Sequence, residues 1–316
     1  MSGSQWVVDG REAGVRLDKY LAAPDRAGSR SKAATALERG KVFVNDLEVS
    51  LTDAAALLRP GDVVRLWMDR PGSAKKRSTL GDLRDMPVVF EDDWLIVLNK
   101  PAGLLAVPLP LERRNDAPSV FEDLKIYLRQ RSRRRPFVVH RIDRDTSGLV
   151  LFAKSEEAQE MLKEQFKRRE PERVYQAIVY GHPSPASGTW QDTLVWDVKA
   201  LIQKETSPRD PTGKEAISHY RVLEELAGTS LIEVALVTGK RNQIRIQARL
   251  RGHTLVGEVR YTYGPDELRP IAFPRQALHA HRLTFRHPSD DREVSFEVPL
   301  PDDMAALVAR LRRRIS

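Results

Sequence analysis

Between His140 and Gly148 the chain gathers two carboxylates, Asp143 and Asp145, two guanidinium groups, Arg141 and Arg144, and the hydroxyls of Thr146 and Ser147. Directly afterwards comes LVLFA, residues 149–153, a wholly apolar run that reads as a buried strand. A polar turn fused to the end of a rigid strand is a good place to hold a catalytic group still. A carboxylate is the group this turn offers. The same residues also suit an ion-paired loop, or an Asx or Ser/Thr turn built on Asp145, Thr146 and Ser147. The turn alone does not choose between these readings.

Other chemistries are easier to exclude. The chain has no cysteine, so disulfides, thiolate catalysis and thiolate metal sites are ruled out. Of seven histidines, His279 and His281 are two apart on an expected strand and so point to one face. No H-E-x-x-H or comparable ligand set accompanies them, and no metal is expected.

The elements that must position the turn fall into two domains. Residues 1–70 read as a small α/β unit. RLDKYLA (16–22) begins a helix, Ser29 caps a second helix over 30–39, and Gly40 closes it. KVFVNDLEVS (41–50) alternates around Asn45 and Asp46 as a hairpin, and RPGD (59–62) turns into a strand at 63–67. Arg30, Lys32, Arg39 and Lys41 surround the second helix, as a solvated face or as a phosphate-binding one. Residues 71–86 read as a flexible basic linker carrying Lys75, Lys76 and Arg77. From 87 to 316 strands dominate: 88–90 and 95–99 as a hairpin, then 149–153, 174–180, 217–224, 231–239 and 280–285. Helical spacing appears at 156–168 and 302–314. RQRSRRR (129–135) stands out as a low-complexity basic patch. Lys and Arg total 52 against 44 Asp and Glu, a formal +8 that favours polyanionic partners. No stretch is long enough to span a membrane, and no secretory signal opens the chain, so a cytoplasmic location is expected.

The order of these pieces carries two resemblances. RLDKYLA, SRSKAATALERGKVFVND and LRPGDVVRL resemble the small RNA-binding domain named after ribosomal protein S4. HRIDRDTSG (140–148) resembles the HRLDxxTSG signature of the RluA-type pseudouridine synthases, with Ile142 as a mild Leu replacement. Further landmarks follow that family's order: VVFEDDWLIVLNKPAGLLAVP (88–108), ERVYQAIVYG (172–181), KEAISHYRVLE (214–224), TGKRNQIRIQARLRGHTLVGEVRYTYG (238–264) and ALHAHRLTFRHP (277–288). The resemblance implies an α+β protein: an S4-like domain, then a catalytic domain on a large mixed, mostly antiparallel sheet with a central cleft.

It also implies an activity, the isomerisation of uridine to pseudouridine in RNA. The N-glycosidic bond at C1′ breaks, the uracil rotates, and C5 joins C1′. No atom is added, so no cofactor is implied. Asp143 is then the essential carboxylate, acting as nucleophile or base, or assisting proton removal from the sugar. Tyr175 lies against the target base, and Arg245 pairs with Asp143. Arg141 braces the space left by the displaced uridine, while Ile244 and Leu278 pack near the pocket. The expected partner is RNA, large-subunit ribosomal RNA before transfer RNA, met by a monomer. Asn242 and Gln247 replace histidines that often flank QIR, and Glu258 replaces an aspartate. These departures are expected to leave the Asp–Tyr–Arg trio untouched and to bear on substrate preference. Two other readings remain: a non-catalytic RNA-binding assembly factor, and a hydrolase of nucleosides using a similarly placed carboxylate.

Overall fold

The computed structural model describes residues 4–38, 41–45, 47–49, 53–67, 83, 86–108 and 118–313. The chain divides into two compact units, Met1–Asp82 and Leu83–Ser316.

The first unit contains β1 (Ser4–Val7), α1 (Leu17–Leu21), α2 (Arg30–Glu38), β2 (Val42–Val44), β3 (Leu47–Val49) and β4 (Val63–Leu66). Its four strands pair antiparallel in the order β1-β4-β2-β3. Leu17, Tyr20 and Leu21 of α1 pack with Ala33, Ala36 and Leu37 of α2 over Val42, Val64 and Leu66. Ser29 caps α2, its Oγ accepting from the Lys32 amide at 3.2 Å. Arg30 and Lys32 are exposed and Lys41 is half-buried. Arg39, Gly40 and the basic run 75–77 lie outside the described residues.

The second unit begins earlier than its strand pattern suggests. Leu83 and Met86, apolar residues assigned by sequence to the linker, are buried in its core. Its elements are β5 (Val88–Glu91), β6 (Leu95–Lys100), α3 (Val120–Ser132), β7 (Phe137–Val138), β8 (Ser147–Ala153), α4 (Glu156–Arg168), β9 (Glu172–Tyr180) and β10 (Ser187–Asp197). There follow β11 (Ile202–Glu205), β12 (Lys214–Leu226), β13 (Thr229–Leu236), α5 (Gln243–Leu250), β14 (Leu278–Arg286), β15 (Glu293–Glu297) and α6 (Asp302–Arg312). Eleven strands form one sheet in the order β11-β10-β12-β13-β9-β14-β8-β6-β5, with β15 beside β14 and β7 beside β8. Among these pairs β14 and β8 run parallel and the others antiparallel. The sheet is therefore mixed and mostly antiparallel, as expected.

Register assigns the faces, because directly paired residues point the same way. Tyr175 pairs with Ala280, Ala280 with Gly148, and Gly148 with Lys100. On that face Tyr175, Ala177 and Val179 pack with Ile244 and Ala248 of α5. Ile96, Leu98, Val150 and Phe152 pack there with Val120, Leu124 and Leu128 of α3. The other face is covered by α4 through Ala158 and Leu162, and by α6 through Met304, Leu307, Val308 and Leu311. Thus α3 and α5 share the face on which the 140–148 turn ends. Gly148 makes the junction possible: its φ is +109°, and a Cβ there would lie 2.2 Å from the Ala280 carbonyl oxygen.

Candidate active site

The 140–148 turn is held from outside, largely through its backbone. His140 precedes it as a half-buried post, its Nε2 accepting from the Leu151 amide at 3.1 Å and its ring stacked 5.0 Å from Phe166. Burial, aided by the nearby Arg173 cation, pushes the His140 pKa down to about 3, so the ring is neutral. The Lys100 Nζ donates to the carbonyls of Pro101, Leu104 and Arg144, each at 2.8 Å. Burial lowers this ammonium to about 7, against the opposing pull of Asp145 and Asp143. The Arg275 Nη1 donates to the Asp145 carbonyl at 3.1 Å. Thr146 and Ser147 turn their hydroxyls to Gln276 at 3.4 Å and to His279 at 2.9 Å. Arg141 and Arg144 are exposed and form no ion pair with Asp143 or Asp145 among the described residues. The ion-paired loop is therefore not what the turn is.

Asp143 is half-exposed at the tip, and the donors it receives come from α5 and the residue before it. The Arg245 Nη1 donates to Asp143 Oδ2 at 3.1 Å, and the Asn242 Nδ2 donates to the same oxygen at 2.5 Å. Arg245 is itself buried and forked onto Glu258, with Nε donating to Oε2 at 2.6 Å and Nη2 to Oε1 at 2.7 Å. Burial alone would push Glu258 up. Its bidentate arginine and the amides of Arg260 and Tyr261 hold it below the usual carboxylate value instead. Burial opposes the Arg245 charge as well, but Glu258 and Asp143 raise its pKa.

One expectation fails here. Asn242 and Glu258 were expected to leave the trio untouched, yet Asn242 bonds Asp143 directly and Glu258 grips Arg245. The reason is geometric: Asn242, at the N-cap of α5, turns its side chain to Asp143, and Glu258, eight residues past the helix, meets the Arg245 guanidinium. Gln247 does stay apart, buried and spending its amide on Trp190, Ala216, Asp192 and Ser218.

Tyr175 lies in the cluster that contains Ile142, Ile244 and Leu278, all of them buried. Burial pushes its phenol up to about 12, the Asp143 charge adding to this and Arg173 opposing it. The hydroxyl therefore stays protonated, and the aromatic face is what the residue offers. Arg141, next to Ile142 in sequence, is exposed. His279 and His281 have ring centroids 6.5 Å apart, but His279 is spent on Ser147 and His281 on the Val298 carbonyl and Glu297. The basic patch 129–135 begins as the last turn of α3, which the strand-centred sequence reading missed. Arg134 and Arg135 there pair with Asp93 and Glu156. Sequence reasoning also passed over Lys100, although NKPAGL contained it, and over Arg275, which no motif marks.

Comparison with known proteins agrees with this geometry. Residues 94–250, which include Asp143, Tyr175 and Arg245, match the model of the RNA pseudouridylate synthase family. The chain is 35% identical to the RNA pseudouridine synthase YlyB of Bacillus subtilis, over 94% of each chain. It is 34% identical to the ribosomal large subunit pseudouridine synthase D of Zymomonas mobilis, again over 94% of each. The fold is similar to that of human RNA pseudouridylate synthase domain containing 4, with a TM-score of 0.58 and 20% identity over 71% of this chain and 92% of that one. The chain belongs to the RNA pseudouridylate synthase family. It is an isomerase that acts on RNA, converting uridine to pseudouridine. Among the described residues no helix is long and apolar enough to cross a membrane.

Proposed function

We propose that Asp143 is the catalytic carboxylate and that the substrate is large-subunit ribosomal RNA. The observation that carries the first part is the placement of Asp143. It is a half-exposed carboxylate at a strand-end turn, backed by a buried arginine and grouped with a buried tyrosine whose hydroxyl does not ionise near neutrality. Arg245 orients the carboxylate through the hydrogen bond to Oδ2, and the Tyr175 ring stacks on the target uracil. Ile244 and Leu278 close the apolar side of the pocket, which must retain the base while it is detached. Arg141, exposed and unpaired among the described residues, enters the space the uridine leaves when it is flipped from its stack. The glycosidic N1–C1′ bond breaks, C5 bonds C1′, the proton on C5 is released to solvent, and N1 takes up a proton in its place.

The ribosomal substrate is favoured by relatives that carry the name ribosomal large subunit pseudouridine synthase D. In this reading the first unit is the S4-like anchor. Its exposed Arg30 and Lys32, with Arg39 and Lys41, contact phosphates, and the enzyme works as a cytoplasmic monomer. Transfer RNA is the second reading, and the same assay separates the two. Wild-type protein and Asp143→Asn are incubated with ribosomal or transfer RNA carrying tritium at uracil C5, and tritium release is counted. The variant should release none while its RNA affinity stays within about tenfold, roughly 1.4 kcal/mol. Substantial turnover by the variant would remove Asp143 from its role, and release from transfer RNA alone would reverse the substrate assignment.

A further inference from the structure

Asp143 is fastened by one oxygen only. Both side-chain donors that reach it, the Arg245 Nη1 and the Asn242 Nδ2, end on Oδ2. Among the described residues Oδ1 receives no hydrogen bond. We infer that Oδ1 is the oxygen that meets the nucleotide, and that Asn242, oriented by Tyr261, is a positioning residue that fixes the carboxylate for it. This rests on the reading of Asp143 as the catalytic carboxylate and adds a second arm to the support that Arg245 provides.

Asn242 behaves unlike an ordinary residue in its place. It stands at the N-cap of α5, where an asparagine side chain usually accepts from the helix's own first-turn amides. Here it makes no capping hydrogen bond, and its backbone is left-handed, with φ 53° and ψ 24°. That region is open to asparagine at lower cost than to most residues. The side chain is turned away from the helix and aimed at Asp143.

An amide can donate through nitrogen or accept through oxygen, so its use as a donor has to be enforced. Tyr261 does this. The Gln203 amide donates to the Tyr261 hydroxyl at 2.8 Å, which uses that oxygen as an acceptor and leaves its proton to be donated onward. The Tyr261 hydroxyl then donates to Asn242 Oδ1 at 3.3 Å. With Oδ1 of Asn242 occupied, Nδ2 is the end that faces Asp143. The order runs one way, from Gln203 through Tyr261 and Asn242 to the carboxylate, and such chains strengthen their members.

Both arms grow from one segment. The amides of Arg260 and Tyr261 donate to Glu258 Oε1 at 2.8 and 3.2 Å, Glu258 holds Arg245, and Arg245 holds Asp143. Gly257 starts the segment at φ +74°, where a Cβ would lie 1.9 Å from the Arg275 carbonyl oxygen. One short stretch of chain therefore sets a charged donor and a neutral donor on the same oxygen. Two donors converging from different directions fix the rotation of the carboxylate, which one donor alone leaves free.

The test is a double-mutant cycle on Asn242 and Tyr261. Glycine is the better deletion at 242, because alanine would add strain at a positive φ. Asn242→Gly should lower kcat about 10- to 100-fold, with KM and RNA affinity within about twofold, as for loss of one placed donor outside the binding surface. Asn242→His, which keeps an N–H and tolerates this backbone, should recover part of that loss. Tyr261→Phe should lower kcat about three- to tenfold in the wild-type background and have no effect in the Asn242→Gly background. Thermal unfolding of each variant separates any folding cost, since a merely structural Tyr261 would lower kcat equally in both backgrounds. Wild-type kcat in folded Asn242→Gly, or equal Tyr261 effects in the two backgrounds, overturns the second arm. If Asp143→Asn is inactive while either of those results holds, the arm alone fails. If Asp143→Asn is active, the catalytic reading beneath it fails.

Discussion

Two buried arginines bracket the 140–148 turn, and they are used differently. Arg245 spends its guanidinium on carboxylates: Glu258, whose side chain is fully buried, and Asp143, whose side chain is 29% exposed. Arg275 spends one edge on Asp303 at 2.7 and 2.9 Å and the rest on the carbonyls of Asp145, Gln276 and Leu278 and on the Ser147 hydroxyl. One arginine thus grips the side chain proposed to react, and the other grips the backbone that carries it. A contact with the carboxylate fixes its rotation, whereas a contact with carbonyls changes only where the turn sits.

If that contrast is right, Arg245→Met has the largest effect and the most complex one. Turnover should fall about 100- to 1,000-fold, because a preorganised charged donor is lost in a partly dry site. Folding stability should fall as well, by about 3–5 kcal/mol, because Glu258 becomes a buried charge with no countercharge, keeping only the Arg260 and Tyr261 amides. Arg245→Lys should recover part of the turnover, since lysine lacks the fork that serves both carboxylates. Adding Glu258→Gln to the methionine variant should restore much of the stability and little of the turnover. Chemical denaturation and single-turnover kinetics on the same samples measure the two effects, and joint recovery of both would show that Arg245 acts only as scaffold.

Arg275→Met should show the reverse profile. Several carbonyls lose their donor and Asp303 loses its cation, so stability should drop by about 2–4 kcal/mol. Asp303 is 39% exposed, so its stranded charge is solvated and costs less than that of Glu258. With the folded fraction accounted for, kcat should fall less than about tenfold, the effect of a turn slightly displaced. A loss of kcat as deep as that of Arg245→Met would erase the distinction between the two arginines.

The sequence disclosed the Arg245 side of this contrast and almost nothing of the Arg275 side. Asp143, Tyr175 and Arg245 fall in ordered strings, and the apolar runs at 95–99, 149–153 and 174–180 are strands buried on both faces, which read plainly. Helix α3 was missed although Ser119 caps it, accepting from the Glu122 amide, because the arginine-rich run beyond it looked like unstructured surface. Strand β10 was missed because only Trp190 and Leu194 of its eleven residues are buried, so no alternation marks it. Asn242 stands 99 residues from Asp143 and Arg275 stands 130 from Asp145; such contacts exist only once the sheet has formed. The departures Asn242 and Glu258 were visible, but their reach was not, since it depends on a left-handed residue and on the path of the 257–261 segment.

The smallest expected effect tests the Arg275 side of the turn through pH. His279 is fully buried, with its Nδ1 2.9 Å from the Ser147 hydroxyl and with Arg275 and His281 nearby. Its Nε2 has no hydrogen-bond partner among the described residues. Burial, with Arg275 and His281 adding to it, lowers its pKa from 6.5 to about 4, although the backbone near Val298 and Pro299 pulls the other way. Between those two values the unfolded chain binds a proton that the folded chain refuses. Stability is therefore fully present above the unfolded pKa and is lost as pH falls through this window. From the two pKa values the loss at about pH 5 is about 2 kcal/mol. His140 contributes with the same sign, so the wild-type slope alone does not isolate His279. His279→Gln does, because glutamine can still meet the Ser147 hydroxyl but cannot titrate. Urea unfolding at neutral pH and at about pH 5 should show the variant losing about 2 kcal/mol less than wild type across the interval, whatever its stability at neutrality. Equal losses would mean that the proton is accepted in the folded protein, and that the Arg275 side of the turn tolerates a second cation.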